Sequence, residues 1–420
     1  MKLKLSEELK WRGLVNQTTY KDLSALDKGP ITFYWGVDPS ADSMTVGNMA
    51  AAMMVKLFIK YGHKPVLLVG GATGMIGDPD GKSSERELLE PKTLERNKQA
   101  IVEQYHRLFG GAELQIVDNY DWFKSMGYLQ FLREVGKHVP TRQMLAREFV
   151  QNRLGEQGNG ISYAEFSYVL IQAYDFLYLY EKQGVTLQVC GSDQWGNSIA
   201  GVDLIRRKTG GEAHVYSVPL VVNQATGQKF GKTETGAVWL DAAKTTPTQF
   251  YQFWINTDDN SVESYLKIFT ELSKSEIETI MTEHQRRPEK RLAQTKLAQQ
   301  VTTLVHGESK AKIAEAVTEI ITDKKPVADA NEEMIKEIRL QIAHIPAVSE
   351  TASIIDGLSM TSLASSKNEA RRLIEQGSIY INGQKIQREN FEPGDFQNGR
   401  LLLRRGKAYK DSALVELTDA

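Results

Sequence analysis

The chain has 420 residues, with 51 Lys or Arg against 53 Asp or Glu, and 41% of its residues are hydrophobic. This length exceeds what one hydrophobic core supports, so we expect a soluble globular protein of two or three domains. The near-neutral charge excludes a uniformly basic nucleic-acid-binding protein, and the single cysteine, Cys190, excludes a disulfide framework and a cysteine-ligated zinc site.

The sequence gives no sign of membrane association. No apolar run approaches the roughly 20 residues that span a bilayer, and the charged, amphipathic N-terminus lacks the apolar core of a signal peptide. A lone cysteine suits a reducing compartment. We therefore predict a cytoplasmic location.

The first half of the chain alternates between buried-strand and helix patterns. Strands are predicted at 31–37, 64–69, 114–117, 185–189 and 214–222, and helices at 7–17, 46–61, 92–109, 166–180 and 197–209, with further helices up to about 154. A strand, a helix and a following strand make a right-handed unit with parallel strands. The pattern predicts a doubly wound α/β domain.

The second half changes character twice. Residues 246–322 are helical throughout, whereas 323–349 carry charge and two prolines and are predicted to be a linker. Short α and β elements follow, including the strand–turn–strand IYINGQKI, whose Asn382-Gly383 pair is a strong hairpin signal.

The stretch 161–197 organises the rest of the chain. Its helix is apolar on nearly every face, but Tyr168, Gln172 and Asp175 fall on one stripe. The next strand carries Gln188 and ends in the polar loop 191–194. These groups form either a hydrogen-bond network inside the core or a pocket for a small polar ligand. We favour the pocket, since open α/β sheets bind ligands at the carboxyl ends of their strands.

A glycine-rich segment at 70–83 invites comparison with phosphate-binding loops. Gly77 and Gly81 enclose three residues where a Walker loop needs four, and the dinucleotide fingerprint fails as well. The segment is either a turn in which backbones approach closely or a loop for an anionic ligand. The second interpretation uses Asp78, Lys82 and Arg86.

Residues 229–233, KFGKT, place two lysines in a flexible polar loop. Such a loop can clamp phosphates and stabilise negative charge only as it develops. The alternative is an exposed loop whose lysines are simply solvated.

In chain order, five motifs resemble those of the bacterial-type tyrosyl-tRNA synthetase family, which belongs to class I. They are GVDPSADS, VGGATGMIGDP, EFSYVLIQAYDF, QVCGSDQWGN and KFGKT. The resemblance covers nearly the whole chain. It implies a Rossmann-like doubly wound parallel-sheet catalytic domain, then an all-α domain and a small α+β RNA-binding domain. The domains are predicted at 1–222 (catalytic), 223–245 (the KMSKS-type lysine loop), 246–322 (helical), 323–349 (linker) and 350–420 (RNA-binding).

The resemblance also implies roles for individual residues, carried over motif by motif. The tyrosine-binding set is Tyr34, Asp78, Tyr168, Gln172 and Asp175. The ATP-binding set is Asp38, Ser40, Gly47, Asn48, Asp193 and Lys232. The catalytic set is Thr45, Asn48, Lys82, Arg86, Gln194, Lys229, Lys232 and Thr233. Magnesium is expected to arrive with ATP, without a metal site built by the protein.

Several positions depart from the family pattern. Its HIGH signature reads here Thr45-Val46-Gly47-Asn48, with neither histidine. Asn48 still offers an amide donor, whereas Thr45 reaches less far than an imidazole. Trp35 stands where a small residue often sits beside the ribose. We expect these changes to affect catalytic rate more than substrate identity.

The C-terminal segment resembles the small ribosomal-type RNA-binding fold, and its basic side chains are predicted to contact tRNA, mostly through phosphates. They are Arg371, Arg372, Arg404, Arg405, Lys407 and Lys410. The alternative is an ordinary solvated helix and hairpin edge.

The resemblance implies tyrosine–tRNA ligase activity, with L-tyrosine, ATP and tRNA(Tyr) as substrates, and a homodimer. Two alternatives remain open at this point. A tryptophanyl enzyme shares the fold, but Tyr34 with Asp175 favours a phenol over an indole. A non-catalytic paralogue that binds RNA or senses tyrosine is suggested by the missing histidines and opposed by the retained lysines and Arg86.

Overall fold

The protein is described by a computed structural model that covers residues 3–79, 87–110, 113–155, 158–222, 230–233, 236–347, 349–406 and 408–417. Its α-helices are α1 Leu5–Arg12, α2 Val46–Lys60, α3 Gly71–Ile76, α4 Pro91–Phe109, α5 Tyr120–Phe123, α6 Tyr128–Glu134, α7 Thr141–Leu145, α8 Glu148–Leu154, α9 Tyr163–Gln183, α10 Trp195–Thr209, α11 Pro247–Ile255, α12 Val262–Phe269, α13 Lys274–Arg286, α14 Leu292–His306, α15 Glu308–Ile321, α16 Glu332–Gln341, α17 Ile354–Met360 and α18 Lys367–Glu375. Its strands are β1 Gln17–Thr18, β2 Thr32–Val37, β3 Lys64–Val69, β4 Gln115–Asp118, β5 Leu187–Gly191, β6 His214–Val218, β7 Lys232–Thr233, β8 Gly236–Ala237, β9 Ala343–Ala347, β10 Ile379–Ile381, β11 Gln384–Ile386, β12 Arg400–Arg405 and β13 Ser412–Leu417.

The main sheet has six strands in the order β1-β6-β5-β2-β3-β4. All neighbouring pairs are parallel except β1 with β6. From β2 the chain proceeds outward to β3 and β4 on one side, and it returns to place β5 and β6 on the other. The strand order therefore reverses between β2 and β5, which defines the switch point of a doubly wound sheet.

Local sequence explains where the main helices end. α1 stops at Arg12 because Gly13 adopts a left-handed conformation with φ 73°. α9 begins after Ser162, whose hydroxyl accepts a hydrogen bond from Glu165 N, and it ends at Gly184 with φ 66°. The span predicted at 166–180 lies within α9, whereas the helix predicted at 7–17 ends at Arg12 and Gln17 already belongs to β1.

The structure divides into two compact units. The first comprises Met1–Lys244 and Asp258–Ala293, and the second comprises Thr245–Thr257 and Gln294–Ala420. The helical segment predicted as one domain at 246–322 is thus shared between the units. The main sheet and α9 belong to the first unit, whose core lies between α9, α10 and the sheet.

The second unit holds a sheet in the order β11-β10-β12-β13-β9. The predicted hairpin is confirmed: Asn382 and Gly383 have φ of 47° and 79° and join β10 to β11. One face of this sheet packs on α17 and α18. The other face contributes Leu402 and Leu414 to a core with helices α15 and α16.

The prediction of a linker at 323–349 is wrong. This segment contains α16 and β9, and β9 pairs in parallel with β13. Ile335 and Ile338 are fully buried in the core that α16 shares with the sheet. Part of the charge that suggested a linker, Glu332, Glu333 and Lys336, lies on the exposed face of the amphipathic helix α16.

The parallel-sheet core and the separate C-terminal sheet confirm the predicted fold class. No helix in the described parts of the chain is both long enough and apolar enough to span a bilayer.

Candidate active site

A cavity of about 290 Å³ opens in the first unit at the carboxyl ends of β2 and β5. Tyr34 on β2 lies opposite Gln188 on β5, so the two strands are direct neighbours here. The cavity therefore lies at the switch point of the sheet, where folds of this type bind ligands.

The structure brings most of the predicted site residues to this cavity. Those that line it are Tyr34, Asp38, Ser40, Thr45, Gly47, Asn48, Asp78, Tyr168, Gln172, Asp175, Asp193 and Gln194. They come from strand ends, from the start of α2 and from one stripe of α9. The helical stripe and the strand-end loop predicted from the sequence thus face the same space.

Asp175 is a buried carboxylate, 2% exposed, on the wall that α9 provides. Asn119 Nδ2 donates to its Oδ2 at 3.0 Å, and Trp122 Nε1 donates to its Oδ1 at 2.9 Å. Burial raises the pKa of Asp175 well above its usual range, and these two hydrogen bonds oppose the shift. Each carboxylate oxygen keeps a lone pair for a ligand.

Three further polar atoms around this wall lack partners. Tyr34 Oη, Gln172 Oε1 and Gln188 Oε1 are buried without a hydrogen bond in the described part of the structure. Burial, followed by the charge of Asp175, holds the pKa of the Tyr34 hydroxyl well above its usual value. Since buried polar groups are almost always paired in proteins, these atoms indicate a polar ligand in this part of the cavity.

A second carboxylate, Asp38, follows β2 on the same cavity wall. Tyr168 Oη donates to its Oδ2 and Thr73 Oγ1 donates to its Oδ1, both at 2.7 Å. Burial, followed by the charge of Asp38, raises the pKa of the Tyr168 hydroxyl well above its usual value. Asp38 was predicted to bind ATP, and in this structure both of its oxygens accept hydrogen bonds from the protein.

Asp78 and Gln194 meet across the cavity mouth. Gln194 Nε2 donates to Asp78 Oδ2 at 2.5 Å, and Asn197 Nδ2 donates to Gln194 Oε1 at 3.1 Å. Asp193 precedes Gln194 in the turn after β5 and is exposed. This turn holds an acidic and an amide group at the carboxyl end of a strand.

The N-terminus of α2 forms the opposite wall. Thr45 N and Thr45 Oγ1 both donate to Asn48 Oδ1, at 2.9 and 3.1 Å. A backbone N–H can only donate, so the atom of Asn48 that faces it is the oxygen. The amide Nδ2 of Asn48 is thereby left for a ligand at a helix N-terminus, where backbone N–H groups favour anions.

The backbone of the lysine loop approaches this same helix end. Gly231 has φ 86°, and a Cβ at this position would come within 3.0 Å of Gly47 N. Val238 N donates to Gly231 O, and Val46 N donates to Val238 O, both at 2.9 Å. The backbone that leads into Lys232 therefore lies against the first turn of α2.

Some predicted residues cannot be placed in the site. Lys82, Arg86, Lys229 and Lys407 lie outside the described residues, and Lys232 and Thr233 are described only as the backbone of β7. The described lining of the cavity contains Asp38, Asp78, Asp175 and Asp193 but no lysine or arginine. This acidic lining suits a positively charged ligand group. A phosphate bound here would need its negative charge neutralised by cations other than the described lining residues.

The glycine-rich segment has a structural reason for its first two glycines. A Cβ on Gly70 would overlap with Asp38 Oδ1 and Thr73 Oγ1, and one on Gly71 would overlap with Asp118 Oδ1. The side chains of Asp38, Thr73 and Asp118 thus approach this backbone closely. The interpretation as a turn with close approach applies to Gly70 and Gly71, and Asp78 nevertheless lines the cavity.

The basic residues of the second unit differ in exposure. Arg371 and Arg372 on α18 are exposed, as are Arg405 and Lys410. Arg404 is only 7% exposed. It pairs with Asp323 at 2.5 Å and donates to Ile321 O and Ser412 Oγ. The structure therefore does not place Arg404 on the basic face that the sequence predicts, because this side chain is buried and bonded to groups inside the second unit.

Three residues of the site were missed from the sequence: Thr73, which lines the cavity, and Asn119 and Trp122, which hydrogen-bond to Asp175 behind it. Asn119 follows β4, so the strand-end rule that pointed to Asp193 applied to it as well. Thr73 lies inside the short helix α3 and Trp122 inside α5, and no local pattern marks either residue. Their importance comes from partners that lie 35 and 53 positions away along the chain.

Comparison with known proteins gives one consistent result. The family described as tRNA synthetases class I (W and Y) matches residues 26–322. The family described as Tyrosine–tRNA ligase SYY-like C-terminal domain matches residues 335–410. A tyrosine–tRNA ligase of Bacillus caldotenax is 46% identical over 393 residues, covering 91% of this chain and 92% of the relative. One from Streptomyces coelicolor is 41% identical over 423 residues, covering 99% of each.

Solved structures agree at the level of the fold. A C-terminally truncated mitochondrial tyrosyl-tRNA synthetase of Aspergillus nidulans matches with a TM-score of 0.67 and 31% identity, covering 76% of this chain and 94% of that one. A tryptophanyl-tRNA synthetase of Encephalitozoon cuniculi matches with a TM-score of 0.53 at 14% identity, covering 74% of this chain and 89% of that one. The latter shows a shared fold and no more.

Proposed function

We infer that this chain, which belongs to the class I tRNA synthetases (W and Y), is a tyrosine–tRNA ligase. It joins L-tyrosine to ATP, giving tyrosyl-adenylate and pyrophosphate, and then transfers the tyrosyl group to the 3′ end of tRNA(Tyr). The observation that carries this assignment is the buried carboxylate of Asp175 beside the hydroxyl of Tyr34, which has no hydrogen-bond partner among the described residues. This pair can exchange hydrogen bonds with a phenol, which is what distinguishes tyrosine from other amino acids.

The amino-acid end of tyrosine fits the acidic lining between α9 and the strand-end loops. Asp78, Tyr168 and Gln172 are proposed to hold its ammonium group. Tyr168 lies between this region and Asp38, to which it donates a hydrogen bond. Because the described lining contains four carboxylates and no basic side chain, it favours a substrate that carries a positive charge there.

ATP is proposed to lie along the N-terminus of α2, with Ser40, Gly47 and Asn48 beside its phosphates and Asp193 at its ribose. The substrate carboxylate attacks the α-phosphate, and the bond to pyrophosphate breaks. No side chain acts as a nucleophile in this reaction. The protein contributes by positioning the two substrates and by stabilising the developing charge, with Gln194 close to the reacting centre.

Charge neutralisation at the phosphates is proposed to come from Lys82, Arg86, Lys229, Lys232 and Thr233 together with Mg²⁺. The described residues contain no group of three His, Cys, Asp or Glu side chains arranged to hold a metal ion. Magnesium is proposed to arrive with ATP, as part of the MgATP substrate.

tRNA is proposed to contact the exposed basic residues of the second unit, namely Arg371, Arg372, Arg405, Lys407 and Lys410. A homodimer in the cytoplasm is proposed as well. Tyr128, Leu129 and Tyr163 are 60%, 79% and 61% exposed, and the two tyrosine hydroxyls lie 3.2 Å apart. Such an exposed apolar patch suits association with a second copy.

The non-catalytic alternative is not favoured, because the close relatives are ligases over nearly their full length. The decisive experiment is tyrosine-dependent exchange of pyrophosphate into ATP by the purified protein. We expect exchange with tyrosine and none above background with tryptophan. Binding of tyrosine without any exchange would instead support a tyrosine-sensing protein.

The changed HIGH signature leads to a prediction at Thr45. Thr45→Ala removes one of the two hydrogen bonds that orient Asn48, while the bond from Thr45 N remains. We expect adenylate formation to slow by about tenfold, the worth of one hydrogen bond, with tyrosine affinity unchanged. Pre-steady-state rates of adenylate formation measure this effect, and Thr45→Ser, which keeps the hydroxyl, is the matched control. An unchanged rate in Thr45→Ala would remove Thr45 from the catalytic set.

The role of the basic face is tested at Arg371 and Arg372. Both are exposed, and no ion pair involving either occurs among the described residues. In the double variant Arg371→Gln with Arg372→Gln, we expect the KM for tRNA to rise by about tenfold or more, with a weaker salt dependence. Pyrophosphate exchange should not change. Unaltered aminoacylation would show that tRNA binds elsewhere.

A further inference from the structure

A continuous series of hydrogen bonds connects the buried carboxylate of Asp175 with the partly buried carboxylate of Asp38. Asn119 Nδ2 donates to Asp175 Oδ2 at 3.0 Å and to Thr73 Oγ1 at 3.1 Å. Thr73 Oγ1 donates in turn to Asp38 Oδ1 at 2.7 Å, and Tyr168 Oη donates to Asp38 Oδ2. This series of hydrogen bonds thus begins at Asp175, which is proposed to bind the phenol of the substrate. It ends at the hydroxyl of Tyr168, which is proposed to hold the substrate's ammonium group.

The direction of every hydrogen bond in this series is fixed. Asn119 Oδ1 accepts from Ala72 N at 2.6 Å, so its amide nitrogen must face Thr73 and Asp175. An amide nitrogen can only donate, so Thr73 Oγ1 accepts from Asn119 Nδ2 and the single proton of the Thr73 hydroxyl points to Asp38 Oδ1. Rotating any one group would break the bonds of its neighbour.

The surroundings hold this series of hydrogen bonds in place. Asn119 is fully buried and Thr73 is 2% exposed. Gly70 leaves no room for a side chain between Asp38 and Thr73. In such a dry environment hydrogen bonds in series strengthen one another, and an unpaired member is costly. The charge of Asp38 also acts on Asp175: after burial and the two hydrogen bonds, it is a further cause that raises the pKa of Asp175.

We propose that Thr73 is a positioning residue that couples recognition of the phenol at Asp175 to binding of the amino-acid end at Tyr168, whose hydroxyl Asp38 holds in place. Among the described residues, Asn119 links Thr73 to Asp175, and Asp38 links Thr73 to Tyr168. This inference rests on the proposed function, because it assigns the two ends of this series of hydrogen bonds to the two ends of tyrosine. It predicts that a change at Thr73 alters the selectivity for tyrosine over phenylalanine.

Thr73→Val tests the coupling, since valine has nearly the shape of threonine but no hydroxyl. In pyrophosphate exchange we expect kcat/KM to fall by about thirtyfold for tyrosine and by about threefold for phenylalanine, the difference being about one hydrogen bond. Selectivity then falls by about tenfold. Thr73→Ser restores the hydroxyl and should return selectivity to within about twofold of the parent protein.

If Thr73 had a purely structural role, Thr73→Val would lower kcat/KM for tyrosine and for phenylalanine by the same factor. That result would overturn the proposed coupling. Failure of Thr73→Ser to restore selectivity would overturn it as well. Calorimetry measures the binding of tyrosine and phenylalanine to the same variants without catalysis. If the parent protein shows no pyrophosphate exchange, the proposed function fails, but the calorimetric comparison still tests the coupling through Thr73. Thr73→Ala serves the same purpose if the valine variant does not fold.

Discussion

Asp175→Ala is expected to lower kcat/KM for tyrosine in pyrophosphate exchange by about a thousandfold, while phenylalanine is affected little. The loss combines about 2 kcal/mol for the hydrogen bond between the phenol and the Asp175 carboxyl group with about 2 kcal/mol for a phenol left buried without a partner. Phenylalanine has no hydroxyl to lose. Selectivity between the two amino acids should therefore collapse.

The protein around Asp175 makes this variant more severe. Asn119 Nδ2 and Trp122 Nε1 both donate to the carboxylate and would lose their acceptor. We expect lower thermal stability as well, so kinetics must be measured well below the melting temperature. Asp175→Asn is not a neutral substitute, because its single oxygen replaces two acceptors.

Glu165→Gln provides a matched control on the same helix. Glu165 is also 2% exposed, and it pairs with Arg153 at 2.9 Å without lining the cavity. This variant should lose stability and keep its selectivity for tyrosine. Equal selectivity losses in both variants would show that helix α9 is merely being disturbed. If the Asp175→Ala enzyme still selected tyrosine over phenylalanine, Asp175 would not be the residue that binds the phenol.

Two groups of site residues were predicted from local sequence relationships, whereas others, such as Tyr34 and Asp38, were predicted from the family resemblance. Tyr168, Gln172 and Asp175 are spaced by four and three residues, so helical periodicity alone places them on one face. Asp193 and Gln194 follow a buried strand, so sheet topology alone places them at its carboxyl end. The structure brings both groups to one cavity.

The residues that escaped prediction depend on contacts between distant segments. Trp122 contributes an indole N–H to Asp175 from a short helix more than 50 residues earlier, and Thr73 contributes a hydroxyl to Asp38. Neither a tryptophan nor a threonine at these positions has a periodicity that sets it apart from an ordinary core residue. Only the fold reveals which buried polar atoms face one another.

The second unit shows how charge alone misleads. The segment 323–349 was interpreted as a linker because it is charged and contains two prolines, yet Ile335 and Ile338 on α16 are fully buried. Their spacing of three residues is a helix signal. Pro346 lies in β9 at the edge of the sheet, where a missing N–H is tolerated.

Arg404→Met is expected to destabilise the protein by about 3 kcal/mol, because it removes one partner of a largely buried ion pair. Arg404 joins three segments: it pairs with Asp323 after α15 and donates to Ile321 O and to Ser412 Oγ on β13. β12, which carries it, is covered on both faces, since Leu403 and Leu402 belong to different cores. Arg404 thus helps to hold the sheet against the helices within the second unit.

The stability that Arg404→Met loses should depend on pH, and the direction of this dependence follows from Asp323. Burial already raises the pKa of Asp323, and Arg404 opposes this shift. Without Arg404 the folded-state pKa rises further above the unfolded value of about 4. The folded variant then binds more protons than the unfolded chain just above that value, so its stability falls as the pH rises through this range. The destabilisation should therefore be largest at neutral pH and shrink on acidification.

Arg405→Met is the matched control, because Arg405 follows on the same strand but its side chain is 44% exposed, with Glu369 at 3.5 Å. The Arg405→Met substitution should lower the free energy of unfolding by no more than about 0.5 kcal/mol, because exposed ion pairs contribute little to stability. Chemical denaturation at neutral and mildly acidic pH measures both variants, with pyrophosphate exchange as a check on the first unit. If Arg404→Met kept full stability and lost only tRNA binding, Arg404 would belong to the basic face after all. Because its guanidinium is turned into the core, we expect the opposite.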